Sequence, residues 1–289
     1  MAELARYKPS GGVSASFWPM LLGALVGAVV LAGIYEVLLF VVPWIYATIL
    51  IVLVFGFSLG GLAGWVVTAG KCRSKPLALG STLLIGLSGL LASYGWSYRR
   101  FLSAVLDANP DLHFSEIVTR ALPVWFDGRI ESGWMVNHEA RTGLFFVGTM
   151  WTIEALVVVG ASFFFVWSEL ERPFCERCTE WTTTQGYGLP GVKRTEVEAL
   201  LEKGDLRTLV QLEATADGGG DQPRMTLTRS NCARCSETAF LTVCEVSFER
   251  GPKGELKEKR EVLAENLVLA GDLSNHFAKR IELRDAAAA

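Results

Sequence analysis

The chain has 289 residues, of which 51% are hydrophobic and only 20% are charged, and its mean hydropathy is +0.33. Soluble domains average roughly 45–50% apolar and about 25% charged residues, and the apolar excess of this chain is concentrated in its first 170 residues. The composition therefore excludes an ordinary soluble protein, and a net charge of −3 is too small to indicate a polyanionic partner.

The first half of the chain contains four apolar runs that are long enough to cross a bilayer, because a spanning helix needs about 20 apolar residues. They predict spans at about 17–40, 45–69, 76–96 and 144–167. Pro43 marks the reversal between the first two spans, because proline interrupts helical hydrogen bonding. The first run is too long for a signal peptide and continues into a second span. The sequence therefore predicts a bundle of four transmembrane helices over residues 17–172.

The distribution of basic residues near the span ends predicts the orientation of the bundle. Seven of them fall on the same side of it: Arg6, Lys8, Lys71, Arg73, Lys75, Arg172 and Arg177. Because Lys and Arg favour the cytoplasmic side, we expect the N-terminal segment 1–16 and the tail 173–289 to be cytoplasmic, in a bacterial inner membrane. Arg99 and Arg100 begin the extracytoplasmic loop 97–140 and argue against this orientation.

Two acidic residues, Glu36 and Glu154, lie within the first and fourth spans. An ionisable group in hydrocarbon is costly and suggests a functional site, and with the expected topology both lie toward the outer ends of their spans. One interpretation is a proton- or cation-binding pair. The other is a pair of hydrogen-bonded carboxyl groups that fix helix packing, which we favour because no run of polar residues lines a path through the other spans.

Small residues recur at four-residue spacing in the first two spans, at Gly23 and Gly27 and then at Gly56, Gly60 and Gly64. This spacing lets helix backbones approach closely in lipid. We expect these faces to pack within the bundle, and they could also join two copies as a homo-oligomer.

The loop 97–140 is too long for a plain connector. It contains an apolar stripe at helical spacing, formed by Phe114, Ile117, Val118, Ala121, Leu122 and Trp125. Such a helix could lie on the membrane surface, dock a partner or cap the bundle. We expect a cap, because a cap requires nothing beyond this chain.

The tail contains two C-x-x-C pairs, Cys175 with Cys178 in "PFCERCTEW" and Cys232 with Cys235 in "CARC". Such turns place two sulfur atoms on one side, and two turns facing each other complete a tetrahedral thiolate site for Zn²⁺. The predicted strands "RMTLT", "AFLTVCEVSFER" and "ELKEKREVLAENLVL" and a final helix complete a small α+β, zinc-ribbon-like domain, with the helical stretch "RTEVEALLEKGDLRTLVQLEA" as an insertion between the pairs.

Other uses of these cysteines are less consistent with the pattern. Disulfides are disfavoured in the cytoplasm, and a thioredoxin-like redox pair requires one C-x-x-C in a βαβ setting. The 53 residues between the pairs exceed the spacing of compact ribbons, which is about 15–20. Thr179 and Ser236 also stand where many ribbons have glycine.

With "PFCERCTEW" directly after the last span and "CARC" before a hairpin, the chain resembles uncharacterised bacterial multi-pass membrane proteins that carry a cytoplasmic zinc-ribbon-like tail. The resemblance covers the layout and the two cysteine pairs, and it implies a fold but no activity.

The sequence contains no phosphate-binding loop, nucleophile elbow or histidine cluster, and four thiolates leave no open position on the metal. We therefore expect no enzymatic activity. The tail has 16 basic and 19 acidic residues, whereas a nucleic-acid surface should be basic. Two hypotheses survive. One is a membrane-anchored module that binds another protein, and the other is a small transporter that uses Glu36 and Glu154.

Overall fold

The computed structural model describes residues 4–42, 45–108, 121–127, 144–212, 223–235, 238–250 and 255–288. By its internal contacts the chain divides into two compact units. We call Gly11–Glu171 the helical unit, and Met1–Ser10 together with Arg172–Ala289 the sheet unit. The N-terminal residues therefore belong to the same unit as the cysteine-containing tail.

The helical unit contains four long helices in its described part, α1 Phe17–Val41, α2 Ile45–Ala69, α3 Lys75–Ala108 and α4 Leu144–Leu170. All four are long and apolar enough to cross a membrane. Helix α3 continues beyond the predicted span, through the first twelve residues that the sequence assigned to the loop 97–140. Of the predicted amphipathic stripe, residues 114, 117 and 118 lie outside the described residues, whereas 121–127 are helical.

The helical segment 121–127 packs on the extended end of α3. Ala121 is buried there beside Leu102, and the ring of Trp125 makes an edge contact with Tyr98 at a centroid distance of 5.6 Å. This part of the predicted loop therefore covers apolar surface that α3 would otherwise expose.

Glycine allows α2 and α4 to approach closely. A Cβ atom on Gly60 would lie 2.7 Å from the Phe165 ring and 3.0 Å from the carbonyl oxygen of Ala161, and one on Gly56 would lie 3.1 Å from Cα of Val158. These two members of the predicted small-residue face are therefore used within the bundle, as the spacing indicated.

The sheet unit contains two antiparallel sheets. Strands β1 Phe174–Cys175 and β2 Glu180–Trp181 form a hairpin, and the four-stranded sheet has the order β3-β4-β5-β6, with β3 Thr183–Pro190, β4 Arg224–Asn231, β5 Ala239–Arg250 and β6 Leu256–Leu269. The helices are α5 Arg194–Lys203, α6 Leu206–Gln211 and α7 Gly271–Ala288.

One face of the larger sheet carries a hydrophobic core, because alternate residues of a strand point to the same side. Met225 and Leu227 of β4 and Leu241 of β5 are buried there, together with Phe277 of α7. The predicted helical stretch is divided by Gly204, which ends α5 in a left-handed conformation with φ 72°. Asp205 caps α6 by accepting a hydrogen bond from the Thr208 amide.

The N-terminal segment contributes to the same sheet. The amide of Tyr7 donates a hydrogen bond to the carbonyl oxygen of Asn266 at 2.8 Å, and the amide of Val268 donates to the carbonyl oxygen of Ala5 at 2.8 Å. Sequence analysis did not predict this pairing, because polar and apolar side chains alternate over only four residues here, 5–8, which is the shortest run that indicates a strand.

Candidate metal centre and buried acids

The first cysteine pair lies in a tight hairpin. Phe174 pairs with Trp181 and Cys175 with Glu180, so Cys178 falls in the intervening turn. The turn is closed by Thr179, which has a positive φ of 55°. A β-branched residue rarely adopts this conformation, for which glycine is suited. In zinc ribbons this position is commonly glycine. Here it is threonine, and its backbone adopts the left-handed conformation that glycine adopts readily.

The second cysteine pair follows β4 directly. Cys232 is fully buried, and its amide donates to the carbonyl oxygen of Thr238 at 3.0 Å, just before β5 begins. The hydroxyl oxygen of Thr238 lies 3.4 Å from Sγ of Cys175 and 4.0 Å from Sγ of Cys235. Sequence reasoning missed this residue, because only the fold brings it to the first cysteine pair.

The fold brings the four predicted ligands together. Among the described residues, Cys175, Cys178, Cys232 and Cys235 form a cluster whose sulfur atoms all lie within 4.8 Å of one another. A tetrahedral site with Zn–S bonds of about 2.3 Å has sulfur–sulfur edges of about 3.8 Å, and Sγ of Cys175 lies 3.8 Å from Sγ of Cys235. These four cysteines could therefore hold one metal ion.

The cluster is costly to charge without a cation. Hydrogen bonding with the Cys235 thiol, followed by burial and the other two thiols, raises the pKa of Cys178 to about 12. Thiolate is the form that binds metal, so metal binding must displace protons from these sulfur atoms. Once the sulfur atoms are ionised, the Thr238 hydroxyl can donate to the Cys175 sulfur and support it as a ligand.

The other two cysteines lie outside this cluster. Cys72 is fully buried in the helical unit, where its thiol donates to the carbonyl oxygen of Ser74, and burial raises its pKa. Cys244 lies within β5, and burial raises its pKa as well. High pKa values and burial are typical of inert structural thiols.

Glu36 and Glu154, the two acids of the predicted spans, are buried in the helical unit, each with an exposed fraction of 3%. The hydroxyl of Tyr35 on α1 donates to Oε1 of Glu154 on α4 at 2.7 Å. Oε2 of Glu36 forms an ion pair of 2.9 Å with the guanidinium of Arg100 on α3. The two acids thus bind side chains of neighbouring helices, and sequence analysis did not identify Tyr35 as one of these partners.

The two arginines that opposed the predicted orientation have local partners. Arg100 binds Glu36, and the Arg99 guanidinium lies 5.2 Å from the centre of the Trp96 ring. A cation held by a buried carboxylate or by an aromatic ring has a local structural role. The position of such an arginine is therefore weaker evidence for membrane orientation than the position of a solvated lysine.

No protein-family model, no curated protein and no solved structure matches this chain. Four helices long and apolar enough to cross a membrane and a cluster of four cysteines are consistent with the predicted layout, and no relative confirms the group that the sequence resembles.

Proposed function

We propose that the protein is an integral membrane protein that holds a structural zinc domain at the cytoplasmic face of the bacterial inner membrane, where this domain binds another protein. The observation that carries the proposal is the cluster of four cysteine sulfur atoms within 4.8 Å of one another. A site with four thiolates has no open position for water or substrate, so the metal has a structural role and the protein is not an enzyme.

Two further observations support the placement of the domain. The N-terminal residues pair with β6 in the same unit as the tail, which supports placing both termini on one side of the membrane, and four spans are compatible with that placement. The excess of acidic over basic residues in the tail disfavours nucleic acid and anionic headgroups as ligands. Two partners remain in this proposal. The helices contact the lipid bilayer, and the zinc domain binds another protein.

The metal site is tested by one substitution and a matched control. Cys232→Ser removes one ligand, whereas Cys244→Ser makes the same chemical change on β5, outside the cluster. We expect the wild type and Cys244→Ser to carry one zinc ion per chain by elemental analysis, and Cys232→Ser to carry less. Equal metal content in both variants would remove Cys232 from the site.

The topology is tested separately by reporter fusions. Fusions at Ala289 and within the loop 97–140 should report opposite sides of the membrane, and a fusion at the N-terminus should agree with Ala289. If the fusions at Ala289 and in the loop report the same side, the four-span arrangement is wrong.

A second function, transport coupled to Glu36 and Glu154, is favoured by one observation. Tyr35 and Glu36 are adjacent on α1, and they bind Glu154 of α4 and Arg100 of α3 respectively. This arrangement would let a change at one acid affect the other through α1. A cation flux in proteoliposomes that is lost in Glu154→Gln but kept in Cys232→Ser would favour transport over the protein-binding module.

A further inference from the structure

The edge of the larger sheet at β6 is covered by the N-terminal residues of the chain. Arg6 pairs with Leu267 in an antiparallel bridge, flanked by the two hydrogen bonds that join Tyr7 to Asn266 and Val268 to Ala5. β6 is the last strand in the sheet order, and an edge strand presents unpaired backbone groups that can accept a further strand. Residues 5–7 therefore act as the strand that this edge accepts.

Two side chains anchor this N-terminal strand. The ring of Tyr7 lies 4.9 Å from the ring of Phe240 at the start of β5, and Leu4 packs against the hydrophobic core of the sheet unit. Arg6, between them, is exposed. Tyr7 thus supplies an aromatic anchor for the strand and Leu4 an aliphatic one.

The N-terminal strand lies next to the second cysteine pair. Phe240 is five residues beyond Cys235 and pairs with Val268, the residue whose amide binds Ala5. A backbone hydrogen bond joins Cys232 to Thr238, the residue before β5. Because the Thr238 hydroxyl also lies against the sulfur atoms of Cys175 and Cys235, the cysteine cluster adjoins the end of β5 at which Tyr7 packs on Phe240.

We propose that residues 4–7 form a strap whose closure on β6 depends on metal bound at the four-cysteine cluster, so that loss of the metal releases the strap and opens the β6 edge. The inference rests on the proposed metal site. Without metal the second cysteine turn loses its constraint and Phe240 shifts, which removes the contact of Tyr7. The opened edge offers the Asn266 carbonyl, the Val268 amide and the Phe240 ring to an extended peptide.

The rest of the sheet does not depend on the cluster in the same way. Leu227 lies in β4, between β3 and β5, and its side chain is part of a buried core that contains none of the four cysteines. The proposal therefore requires a local response to metal removal rather than unfolding of the sheet unit.

The experiment is hydrogen exchange on the full-length protein in lipid nanodiscs, loaded with zinc and then treated with a chelator. The Val268 amide reports the strap, and residues 225–229 report the sheet. We expect chelation to accelerate exchange at Val268 by about tenfold and to change exchange over 225–229 by less than about twofold.

Two variants separate the strap from the metal. In zinc-loaded protein, Tyr7→Ala should accelerate exchange at Val268 as chelation does, with the zinc content unchanged. Arg6→Ala is the matched control and should leave exchange at the wild-type rate, because the Arg6 side chain is exposed.

Three results would overturn the proposal. Unchanged exchange at Val268 after removal of bound zinc would separate the strap from the metal while leaving the metal site intact. An equal acceleration at Val268 and over 225–229 would show that zinc holds the whole sheet. Unchanged exchange in Tyr7→Ala would show that this ring does not close the strap. A protein that binds no zinc at all contradicts the proposed function instead, and the metal dependence of the strap with it.

Discussion

The helical unit and the sheet unit achieve close packing in opposite ways. In the helical unit α2 meets α4 where side chains are missing, at Gly56 and Gly60. In the sheet unit large side chains such as Leu227 and Phe277 fill a core, and two distant turns bring four sulfur atoms together. Packing at small residues is typical of helices that associate in lipid, which gives no hydrophobic drive for association, whereas a core of large side chains is typical of a unit that folds in water.

The two units also differ in how they accommodate charge. In the helical unit the buried Glu36 binds Arg100, a cation from another helix. In the sheet unit Arg194 binds three carboxylates, those of Glu198, Glu245 and Glu261, at the surface. A buried carboxylate needs a compensating partner, whereas surface ion pairs contribute little. The Glu36–Arg100 pair therefore constrains how the helices pack, whereas the ion pairs of Arg194 add little to the stability of the sheet unit.

The largest expected effect tests whether the two units unfold independently. Phe277 is fully buried against the sheet, with its ring 5.2 Å from that of Tyr187. Phe277→Ala should lower the unfolding free energy of the sheet unit by about 3–5 kcal/mol, because it leaves a cavity in the core. Calorimetry should show the transition of the sheet unit at a lower temperature and that of the helical unit unchanged.

His276→Ala is the control for this substitution, because His276 is the exposed neighbour of Phe277 on α7. A shift of both transitions by Phe277→Ala would contradict independent unfolding. A shift of neither would show that α7 does not stabilise the sheet.

The next effect concerns the packing of the helical unit. Gly60→Ala would place a methyl group against the α4 backbone, which cannot move aside as a side chain can, and should destabilise this unit by about 1–3 kcal/mol. Gly61→Ala is the matched control, because nothing lies within 4 Å of a Cβ at that position. Equal unfolding midpoints for the two variants in detergent would contradict close packing at Gly60.

The helices of the chain were more predictable than its strands. Each predicted span corresponds to a helix, because a run of about 20 consecutive apolar residues is compatible with few structures other than a helix. β3 was missed, because "TTQGYGLP" contains two glycines and a proline, which are depleted in strands. It forms because β4 pairs with it along its whole length, and at Gly186 a Cβ would lie 3.0 Å from the Thr228 hydroxyl oxygen.

The cysteine cluster was predictable and its surroundings were not. C-x-x-C spacing indicates Cys175 and Cys232 as candidate ligands without reference to the fold, and the structure brings all four cysteines together. Thr238, Tyr35 and Arg100 had no such local pattern, because each contacts a partner more than 60 residues away in sequence.

A smaller effect compares strained turns in the two units. Lys71 in the helical unit and Thr179 in the sheet unit both have positive φ values, 49° and 55°. Thr179→Gly should stabilise the sheet unit by about 1 kcal/mol, because the left-handed conformation costs roughly 1–2 kcal/mol for a residue with a Cβ. Lys71→Gly should have less effect, since lysine is not β-branched. Thermal unfolding of the zinc-loaded variants measures both, and a lower melting temperature for Thr179→Gly would contradict strain at that turn.

The smallest effect is the pH dependence of the ion cluster around Arg194. Hydrogen bonds from Arg194 lower the pKa of Glu261 below its ordinary value of 4.5. A carboxylate whose pKa is lower in the folded state stabilises the fold above the unfolded pKa, and this contribution is lost as the pH falls through the folded pKa. The sheet unit should therefore lose stability below about pH 4.5. Arg194→Gln should remove part of that loss, because it removes the largest cause of the lowered pKa of Glu261. The effect should be small, since Glu261 is exposed. Thermal unfolding of the wild type and Arg194→Gln across this pH range measures the effect. Identical pH profiles for the two proteins would show that the ion cluster contributes nothing to stability. An equal change in the unfolding transition of the helical unit would show that the two units are coupled.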